Sequence, residues 1–340
     1  MTENIAPMRV LVTGTAGFIG FHLARLLLSE GHDVHGFDGI TDYYDVNLKH
    51  KRHDILREFD GFSFTIGMLE DNQLIDDVFD EFQPNVVVHL AAQAGVRYSL
   101  ENPRAYIDSN VIGTFNIMEA SRRLKINHLL MASTSSVYGA NEDMPFGENQ
   151  RADTQLTIYA ATKKATESMG HAYAHLHKLP ITMFRFFTVY GPWGRPDMAL
   201  FKFTKGIIEG TPIDIYNNGE MFRDFTYVDD LVRGIERLIE ANPAKINIRM
   251  ENDSLSPVAP YRVVNIGNSD KVNLLDFIEA IEQELGKSAI RNYMPMQKGD
   301  VPATWADASL LEGLTSHAPA TDFRLGVKRF VDWYRGYYKC

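Results

Sequence analysis

A tyrosine and a lysine stand four residues apart in the stretch "TIYAATKKA", as Tyr159 and Lys163. Residues at this spacing lie on the same face of a helix. A tyrosine with an ordinary pKa of about 10 is a poor base at neutral pH, but a neighbouring ammonium group favours the phenolate and lowers that pKa. The pair therefore predicts a general base, Tyr159, whose pKa is lowered by Lys163. For an isolated pair, chance placement on a helix surface would be the better interpretation.

Four hydroxyl side chains precede this pair in "MASTSSVYG", at the end of a predicted buried strand. They are Ser133, Thr134, Ser135 and Ser136. Ligands of open α/β sheets bind at the carboxyl ends of parallel strands. We therefore expect these hydroxyl groups to face a ligand.

A glycine-rich segment, "VTGTAGFIG", stands at the first predicted strand-to-helix junction. Gly14, Gly17 and Gly20 suit a sharp turn, a close approach to a pyrophosphate, and tight packing of a helix on a strand. Phe18 and Ile19 then open the helix, whose N-terminus favours negative charge. Three glycines alone would equally fit a tight turn, but this position after a strand predicts a dinucleotide-binding site.

An acidic residue, Asp38, ends the second predicted strand, "VHGFD". A carboxylate at this distance from the glycines accepts hydrogen bonds from the ribose hydroxyls of adenosine and repels a 2′-phosphate. Asp38 therefore favours NAD over NADP. A strand-terminal aspartate is also a common turn former, which is the simpler alternative.

The elements that must position these residues alternate between strands and helices over the first 190 positions. This alternation predicts an α/β fold with a doubly wound parallel sheet of the Rossmann type, followed by a smaller mixed C-terminal substrate domain. We predict a cofactor domain over 1–188, to which 226–241 and 262–268 return, and a substrate domain over 189–340. The segment 242–260 is predicted to be a long exposed insertion. The predicted strands are "MRVLVT", "DVHGFD", "FSFTI", "NVVVHL", "HLLMAS" and "ITMFRFF".

The composition excludes several classes of protein. The chain has 340 residues, of which 45% are apolar and 23% charged, and its net charge of −10 is spread along its length. No dense cluster of lysine and arginine suits a nucleic-acid backbone, and no apolar run is long enough to span a bilayer. With a single cysteine, Cys340, and no signal-peptide pattern at the start, we expect a cytoplasmic protein without metal ligands or disulfides.

The chain resembles the extended short-chain dehydrogenase/reductase family, in the branch of nucleotide-sugar epimerases, dehydratases and decarboxylases. The resemblance rests on the glycine segment, the Tyr159–Lys163 pair and an ordered set of further motifs: "HLAAQAGVRYS", "NVIGTFN", "ASTSSVYG", "RFFTVYGP", "RDFTYVDD" and "YRVVNIGN". It implies that Thr134 works beside the catalytic tyrosine and that Lys163 also holds the nicotinamide ribose. It places further cofactor contacts at Leu90, Ala91, Ala92 and Asn110, and substrate contacts at Gln93, Arg97, Arg223 and Asp300, with Arg223 at the diphosphate.

Two positions depart from the family pattern. Met68 follows the third strand where the family usually has an aspartate near adenine, and Gly39 replaces a common asparagine. The residues that contact adenine at these positions are therefore undetermined.

Lys49 and Arg52, in "YDVNLKHKR", fit uronate epimerases. On their own they would be interpreted as a solvated helix face, and no role is assigned to them.

The family resemblance implies a shared first step, in which the tyrosine takes a proton from the sugar 4′-hydroxyl and NAD takes the hydride. Dehydratases then need an acid–base pair and decarboxylases usually carry a glutamate at the position of Ser136. Here Thr134, Ser135 and Ser136 supply only hydroxyls, which favours return of the hydride and hence 4-epimerisation. The stretch "FFTVYGPWGRPDMA", with Thr188 and Arg195, resembles UDP-glucuronate 4-epimerases. A strand-ending threonine is the alternative interpretation of Thr188.

Other functions remain open. Within the enzymes they are a UDP-glucuronate decarboxylase and a 4-epimerase for a neutral or N-acetylated UDP-sugar. Outside the enzymes, the chain would be an NAD-sensing protein, although such proteins typically lose the tyrosine or lysine. Apolar stripes on the helices near 101–124 and 159–178 fit the homodimer that the resemblance implies.

Overall fold

The computed structural model of the chain describes residues 7–246, 250, 252–297 and 299–340. Within these residues the strands are β1 (Arg9–Thr13), β2 (Asp33–Asp38), β3 (Phe62–Ile66), β4 (Val86–His89), β5 (His128–Ala132), β6 (Ile181–Phe186), β7 (Thr188–Tyr190), β8 (Pro212–Ile215), β9 (Phe222–Arg223), β10 (Phe225–Tyr227), β11 (Tyr261–Ile266), β12 (Val272–Asn273), β13 (Ile290–Tyr293) and β14 (Ala303–Thr304). The α-helices are α1 (Phe18–Ser29), α2 (Val46–Leu56), α3 (Asn72–Phe82), α4 (Tyr98–Glu101), α5 (Pro103–Tyr106), α6 (Thr114–Leu124), α7 (Ile158–His177), α8 (Ala199–Glu209), α9 (Val228–Glu240), α10 (Leu274–Leu285), α11 (Ser309–Thr315) and α12 (Phe323–Tyr338).

Seven of these strands form one sheet in the order β11-β6-β5-β4-β1-β2-β3. Every neighbouring pair in it runs parallel. The order reverses at β1, so the carboxyl ends of β1 and β4 flank the crevice where open α/β sheets bind ligands. The predicted doubly wound parallel sheet is therefore confirmed.

The sheet is covered on both faces because alternate side chains of each strand point in opposite directions. In β1, Val10 and Val12 pack on the side that holds α1, α9 and α11. Leu11, between them, packs on the other side with α3, α6 and α7. A parallel sheet buried in this way needs apolar residues at nearly every position, which explains the continuous apolar runs in the sequence.

A second apolar core lies in the C-terminal half of the chain. It joins α8, α10 and α12 to β8 and β10, and its centre is a stack of Phe225 on Phe277 with ring centroids 3.9 Å apart. The chain nevertheless returns to the large sheet, since β11 pairs with β6 and α9 packs on α1. The division into domains at residue 188 stays a prediction.

The predicted strand 181–187 ends one residue early. The strand is interrupted at Phe187, and Thr188 begins the separate strand β7, which pairs in parallel with β10. The backbone N–H of Thr188 donates to the carbonyl of Asp224 at 3.0 Å. Thr188 is therefore fixed by pairing with the C-terminal half of the chain, a contact that no local pattern reveals.

The prediction that 242–260 is an exposed insertion is only partly correct for its described residues, since Val258 is 55% exposed whereas Asn242 and Ala259 are buried. Residues 247–249 and 251 lie outside the described part of the chain. Arg262 in β11 is fully buried and forms an ion pair with Asp253, whose side chain is 1% exposed, at 3.0 Å. Asn242 donates to the carbonyl of Asn127 at 2.8 Å. The carboxylate of Asp253 compensates the buried charge of Arg262 and so holds this part of the segment against β11.

No helix among the described residues is long and apolar enough to cross a membrane.

The Arg262–Asp253 pair gives a prediction about stability. Replacing Asp253 with Asn leaves a buried guanidinium without its counter-charge, so we expect the free energy of unfolding to fall by about 3 to 5 kcal/mol. Asp332→Asn is the control, because Asp332 pairs with Lys328 at an exposed site, where a pair contributes about 0 to 1 kcal/mol. Urea denaturation measures both. Equal, small losses for the two variants would contradict the structural role of Asp253.

Candidate active site

A cavity of about 1030 Å³ lies at the carboxyl ends of the sheet strands and extends to α8 and β8. Of the residues predicted to bind or react, all but Asn110 line it: Gly14, Gly17, Phe18, Ile19, Gly20, Asp38, Leu90, Ala91, Ala92, Gln93, Arg97, Thr134, Ser135, Ser136, Tyr159, Lys163, Thr188, Arg195, Arg223 and Asp300. The fold thus brings residues from both halves of the chain to one cavity.

The glycine segment forms the floor of this cavity next to α1. Gly14 has φ +85°, a left-handed conformation that side chains rarely adopt. A Cβ at Gly20 would lie 2.1 Å from the carbonyl oxygen of Gly14, so the third glycine is required for α1 to pack here. Gly17 is the N-cap of α1 and makes no side-chain cap hydrogen bond. The open helix N-terminus fits an anionic pyrophosphate.

Asp38 lies beside this segment and is held by two backbone groups. Its Oδ2 accepts from the N–H of Ala16 at 2.9 Å, and its Oδ1 accepts from the N–H of Ile40 at 2.8 Å. A carboxylate has about four acceptor positions. Two positions are therefore left for ribose hydroxyls, and the fixed negative charge is unfavourable for a 2′-phosphate.

The two departures from the family pattern contact each other. A Cβ at Gly39 would lie 2.7 Å from the Sδ of Met68. The missing side chain at position 39 therefore makes room for the thioether of Met68, which also lines the cavity.

The loop after β4 is held by a buried network that the sequence did not reveal. Thr13 Oγ1 accepts from the N–H groups of Leu90 and Ala91 at 3.1 and 3.0 Å, and lies 2.8 Å from Nδ1 of His89. Burial lowers the pKa of His89 to about 3, so the ring is neutral. Since Thr13 already accepts twice, its hydroxyl donates to Nδ1, and Nε2–H donates to Thr114.

Asn110 lies in the π-helical segment Ile107–Gly113, behind the cavity wall. Its Oδ1 accepts from the N–H of Gln93 at 2.8 Å. Its Nδ2 donates to the carbonyl of Gln93 and to Thr162 Oγ1, both at 3.1 Å. Asn110 thus joins the loop that carries Gln93 to helix α7, rather than facing the cavity itself. A widened helical turn of this kind often marks a functional position.

The α7 residues Tyr159 and Lys163 meet the end of β5 in the cavity. Burial raises the pKa of Tyr159, while a hydrogen bond with Thr134 and the charge of Arg195 act to lower it. Burial also lowers the pKa of Lys163 to about 8, and its Nζ donates to the carbonyl of Ala132 at 3.0 Å. The Lys163 ammonium thus donates to the backbone of β5, and its effect on the pKa of Tyr159 stays a prediction.

Hydroxyl groups and one guanidinium surround the position in front of Tyr159. Thr134 caps the short 3₁₀ turn Ser135–Tyr138, with its Oγ1 accepting from the N–H of Ser136 at 3.2 Å. Arg195 forms a two-pronged pair with Asp197, with Nε to Oδ1 at 3.0 Å. The guanidinium is therefore oriented before any ligand binds.

At the far end of the cavity, polar groups of the C-terminal half meet Arg97 of the N-terminal half. Arg97 pairs with Asp300 at 3.2 Å and lies over the ring of Tyr216, 4.7 Å from its centroid. Arg223 donates to the carbonyl of Val301 at 2.8 Å. These residues are brought together from widely separated parts of the sequence, and their geometry leaves an aromatic face and cationic groups for a nucleotide.

A buried cluster behind the reactive residues was missed by the sequence reasoning. Glu167 accepts from Ser133 Oγ at 2.7 Å and from Arg185 Nε at 2.8 Å. Burial opposes ionisation of Glu167, but the hydrogen bonds and charge of Arg185 outweigh it and lower the pKa of the carboxyl. The cluster fixes α7 against β5 and β6. Its only local signal is the four-residue spacing of Glu167 from Lys163.

Helix α2 does not present Lys49 and Arg52 to solvent, so that interpretation is wrong. Both are buried, Arg52 completely. Lys49 Nζ donates to the carbonyl of Thr41 at 2.6 Å and lies 4.4 Å from the ring centroid of Tyr44. The long side chains turn inward because the loop before α2 offers carbonyl and aromatic partners.

No group of three or more histidine, cysteine, aspartate or glutamate side chains among the described residues is arranged to hold a metal ion. The geometry combines a dinucleotide cradle with a hydroxyl, a tyrosine and a lysine at the strand ends, which defines a nucleotide-dependent oxidoreductase-type site.

Comparison with known proteins agrees with this class. The model of the NAD dependent epimerase/dehydratase family matches residues 10–249. A probable UDP-glucuronate 4-epimerase of Rhizobium meliloti is 55% identical over 335 residues, which are 98% of each chain. UDP-glucuronate 4-epimerase 1 of Arabidopsis thaliana is 43% identical over 97% of this chain and 77% of its own length. The chain therefore belongs to the NAD dependent epimerase/dehydratase family, and the expectation of NAD as cofactor is confirmed.

A solved structure extends the similarity to the whole fold. The UDP-glucuronic acid 4-epimerase of Bacillus cereus, in complex with UDP-glucuronic acid and NAD, superposes with a TM-score of 0.87 at 32% identity. The match covers 97% of this chain and 100% of the other.

The contact between Gly20 and Gly14 gives a prediction about cofactor binding. A Cβ in Gly20→Ala would force α1 away from the carbonyl of Gly14, at a cost of about 1 to 3 kcal/mol, and we expect NAD retention to fall. Gly336→Ala, at a helical glycine with nothing within 4 Å of the added Cβ, should gain about 0.5 to 1 kcal/mol. Urea denaturation and chromatography of released NAD measure both. Unchanged NAD content in Gly20→Ala would refute the cradle.

Proposed function

We propose that this chain interconverts UDP-glucuronate and UDP-galacturonate by 4-epimerisation, through a 4-keto sugar and with bound NAD. The observation that carries the proposal is the grouping of Tyr159, Thr134 and Arg195 in one cavity beside the glycine cradle. The relatives named above support the choice of substrate. Each of these residue roles is part of the proposal.

The cofactor fits the residues present. Gly17 and the open first turn of α1 would hold the pyrophosphate, Asp38 the adenosine ribose, and Lys163 the nicotinamide ribose. When bound, NAD supplies a hydride acceptor that later returns the hydride, so no external reductant is consumed.

Tyr159 is the group that removes the proton of the sugar 4′-hydroxyl and later returns it. Proton removal requires the phenolate, and burial alone works against that form. The hydrogen bond with Thr134 and the charge of Arg195 both favour it. Arg195 therefore has two roles. It lies on the loop that would face the sugar, and its charge acts to lower the pKa of Tyr159.

The strand end after β5 offers no carboxylic acid. Thr134, Ser135 and Ser136 carry hydroxyl groups, whereas elimination of water requires a positioned acid and base. With hydroxyls alone at these three positions, return of the hydride to the other face of the ketone is the simplest outcome. This is the step that inverts C4′.

The same hydroxyls suit the carboxylate of a uronic acid. Thr134, Ser135, Ser136 and Thr188 line the cavity with Arg195. Oxidation at C4′ makes a β-keto acid, which loses CO₂ when the breaking bond lies parallel to the carbonyl π system. Donors that hold the carboxylate away from that alignment protect the intermediate.

We also propose that the enzyme acts as a cytoplasmic homodimer. Apolar side chains are exposed on the helices that the family resemblance implies for the interface, including Ile107, Ile112, Phe115, Ile158 and Leu176. Their clustering on α6, α7 and the π-helical segment between α5 and α6 supports a helical interface. Sedimentation of a single monomeric species at micromolar concentration would exclude it.

Incubation of the purified protein with UDP-glucuronate tests the proposed reaction. We expect NMR to show UDP-galacturonate at equilibrium with the substrate, without added reductant. Tyr159→Phe removes the base but keeps the ring, so turnover should fall by about 10² to 10⁴ while NAD remains bound. Release of CO₂ with a UDP-pentose would identify a decarboxylase instead. Conversion of UDP-glucose but not of UDP-glucuronate would identify a neutral-sugar epimerase, and undiminished activity of Tyr159→Phe would remove the tyrosine as base.

Thr188→Val tests the restraint on the carboxylate. It keeps the shape and deletes one hydrogen bond to a charged group, at a cost of roughly 1 to 3 kcal/mol. We expect slower epimerisation and a fraction of turnovers that release labelled CO₂ from UDP-glucuronate labelled at C6. Thr188→Ser retains the hydroxyl and is the matched control. If Thr188→Val epimerises at the wild-type rate without labelled CO₂, the residue serves only to begin strand β7.

A further inference from the structure

Arg52 is a buried cation that joins two loops of the cavity. Arg52 lies in α2, and its side chain is fully buried. One terminal nitrogen donates to the carbonyl of Ala16 at 2.6 Å and to the hydroxyl of Tyr44 at 2.7 Å. The other donates to the carbonyl of Trp193 at 2.5 Å. Ala16 belongs to the glycine segment, and Trp193 lies 141 residues away from Arg52 in sequence.

The charge of Arg52 has no ionic partner of its own. Among the described residues, no carboxylate forms an ion pair with it, and its Nε has no hydrogen-bond partner. A buried guanidinium without a carboxylate is costly for the folded state. A residue that only filled space at this position would be apolar. Its three acceptors, of which two are loop carbonyls, are therefore the features of the site that suit an arginine, because the planar fork directs its two terminal nitrogens to separate partners.

The first loop that Arg52 holds is the cofactor cradle. Ala16 precedes the N-cap of α1, and its N–H donates to Asp38 at 2.9 Å. Its carbonyl accepts from Arg52. The peptide groups around Ala16 are thus fixed between the carboxylate at the end of β2 and the guanidinium on α2, with the N-terminus of α1 directed into the cavity.

The second loop carries Arg195. Trp193, two residues before it, has φ +61°, a left-handed conformation that is uncommon for an aromatic residue and needs support from its surroundings. Its ring packs 5.6 Å from Phe21 of α1 and 5.3 Å from both Trp333 and Tyr337 of α12. The backbone of Trp193 is held by Arg52 and its side chain by these two helices.

From this geometry we infer that Arg52 is a positioning residue that couples the NAD cradle to the loop carrying Arg195. The inference rests on the proposed function for the identity of the sugar. Ordering of the cradle around the cofactor fixes the Ala16 carbonyl, which fixes the guanidinium, which in turn fixes the Trp193 carbonyl. Coupling between two binding sites is reciprocal, so order in the Arg195 loop also stabilises the cradle.

The test is Arg52→Met, which keeps the length and the apolar contacts of the side chain but removes both donors. With the holoenzyme, we expect NAD to dissociate about tenfold faster and UDP-glucuronate to bind about tenfold more weakly. Binding of UDP, which lacks the sugar that reaches Arg195, should stay within twofold of the wild-type value. Release of NAD after dilution is followed by the tryptophan fluorescence of the protein. Nucleotide affinities are measured by calorimetry. Lys51→Met, at the exposed neighbouring residue, is the control and should change neither quantity.

The outcomes separate coupling from a structural role. If Arg52→Met lowers only the melting temperature and leaves NAD release and UDP-glucuronate affinity at wild-type values, Arg52 merely stabilises the fold and the inference is overturned. Equal weakening of UDP and UDP-glucuronate would also overturn it. Should Arg52→Met not fold, Arg52→Lys, which keeps the charge but lacks the planar fork, is judged by the same criteria. If the wild-type protein does not bind UDP-glucuronate at all, the proposed function fails, whereas NAD release still reports whether Arg52 holds the cradle.

Discussion

The close approach of α1 to the end of β1 is the constraint on which the site depends. Because a Cβ at Gly20 would overlap the carbonyl of Gly14, the helix can begin where it does only with glycine at that position. This placement directs the N-terminus of α1 at the crevice where the strand order reverses. The same segment supplies Ala16, whose two peptide groups contact Asp38 and Arg52. Cofactor selectivity and the position of the Arg195 loop therefore both depend on one turn of backbone.

The cations in and beside the cavity have two kinds of hydrogen-bond partner. Arg195 is paired with a carboxylate, Lys163 donates to a strand carbonyl, and Arg52 donates to two loop carbonyls. A paired guanidinium presents a fixed geometry and a reduced net charge, whereas a cation held by carbonyls keeps its full charge. Two groups therefore favour the phenolate of Tyr159, the hydroxyl of Thr134 and the charge of Arg195.

Local patterns predicted the parts of the molecule that local chemistry determines. Glycine spacing gave the cradle, apolar runs gave β2 and β3 with their correct bounds, and the four-residue spacing of Tyr159 and Lys163 gave their shared helix face. Contacts between distant segments were not predictable in this way. The partners of Glu167 and Arg52 include residues on elements that meet only after folding, so a charged side chain that would be assigned to the surface is buried instead. The break before Thr188 has the same origin, since pairing of β7 with β10 causes it.

In the proposed reaction, the positions of the hydrogen-bond donors would decide whether the 4-keto uronate intermediate loses CO₂. Decarboxylation converts a charged carboxylate into a neutral molecule and moves the charge to the ketone oxygen. Donors on the carboxylate stabilise the starting state and lose their charged partner on the way to the transition state, so they raise the barrier. Donors on the ketone oxygen do the opposite. In the proposed reaction, Ser135, Ser136 and Thr188 would therefore hydrogen-bond the carboxylate, while Tyr159 alone would exchange a proton with the oxygen at C4′. In this proposal the reaction outcome is determined by which oxygen each hydroxyl reaches.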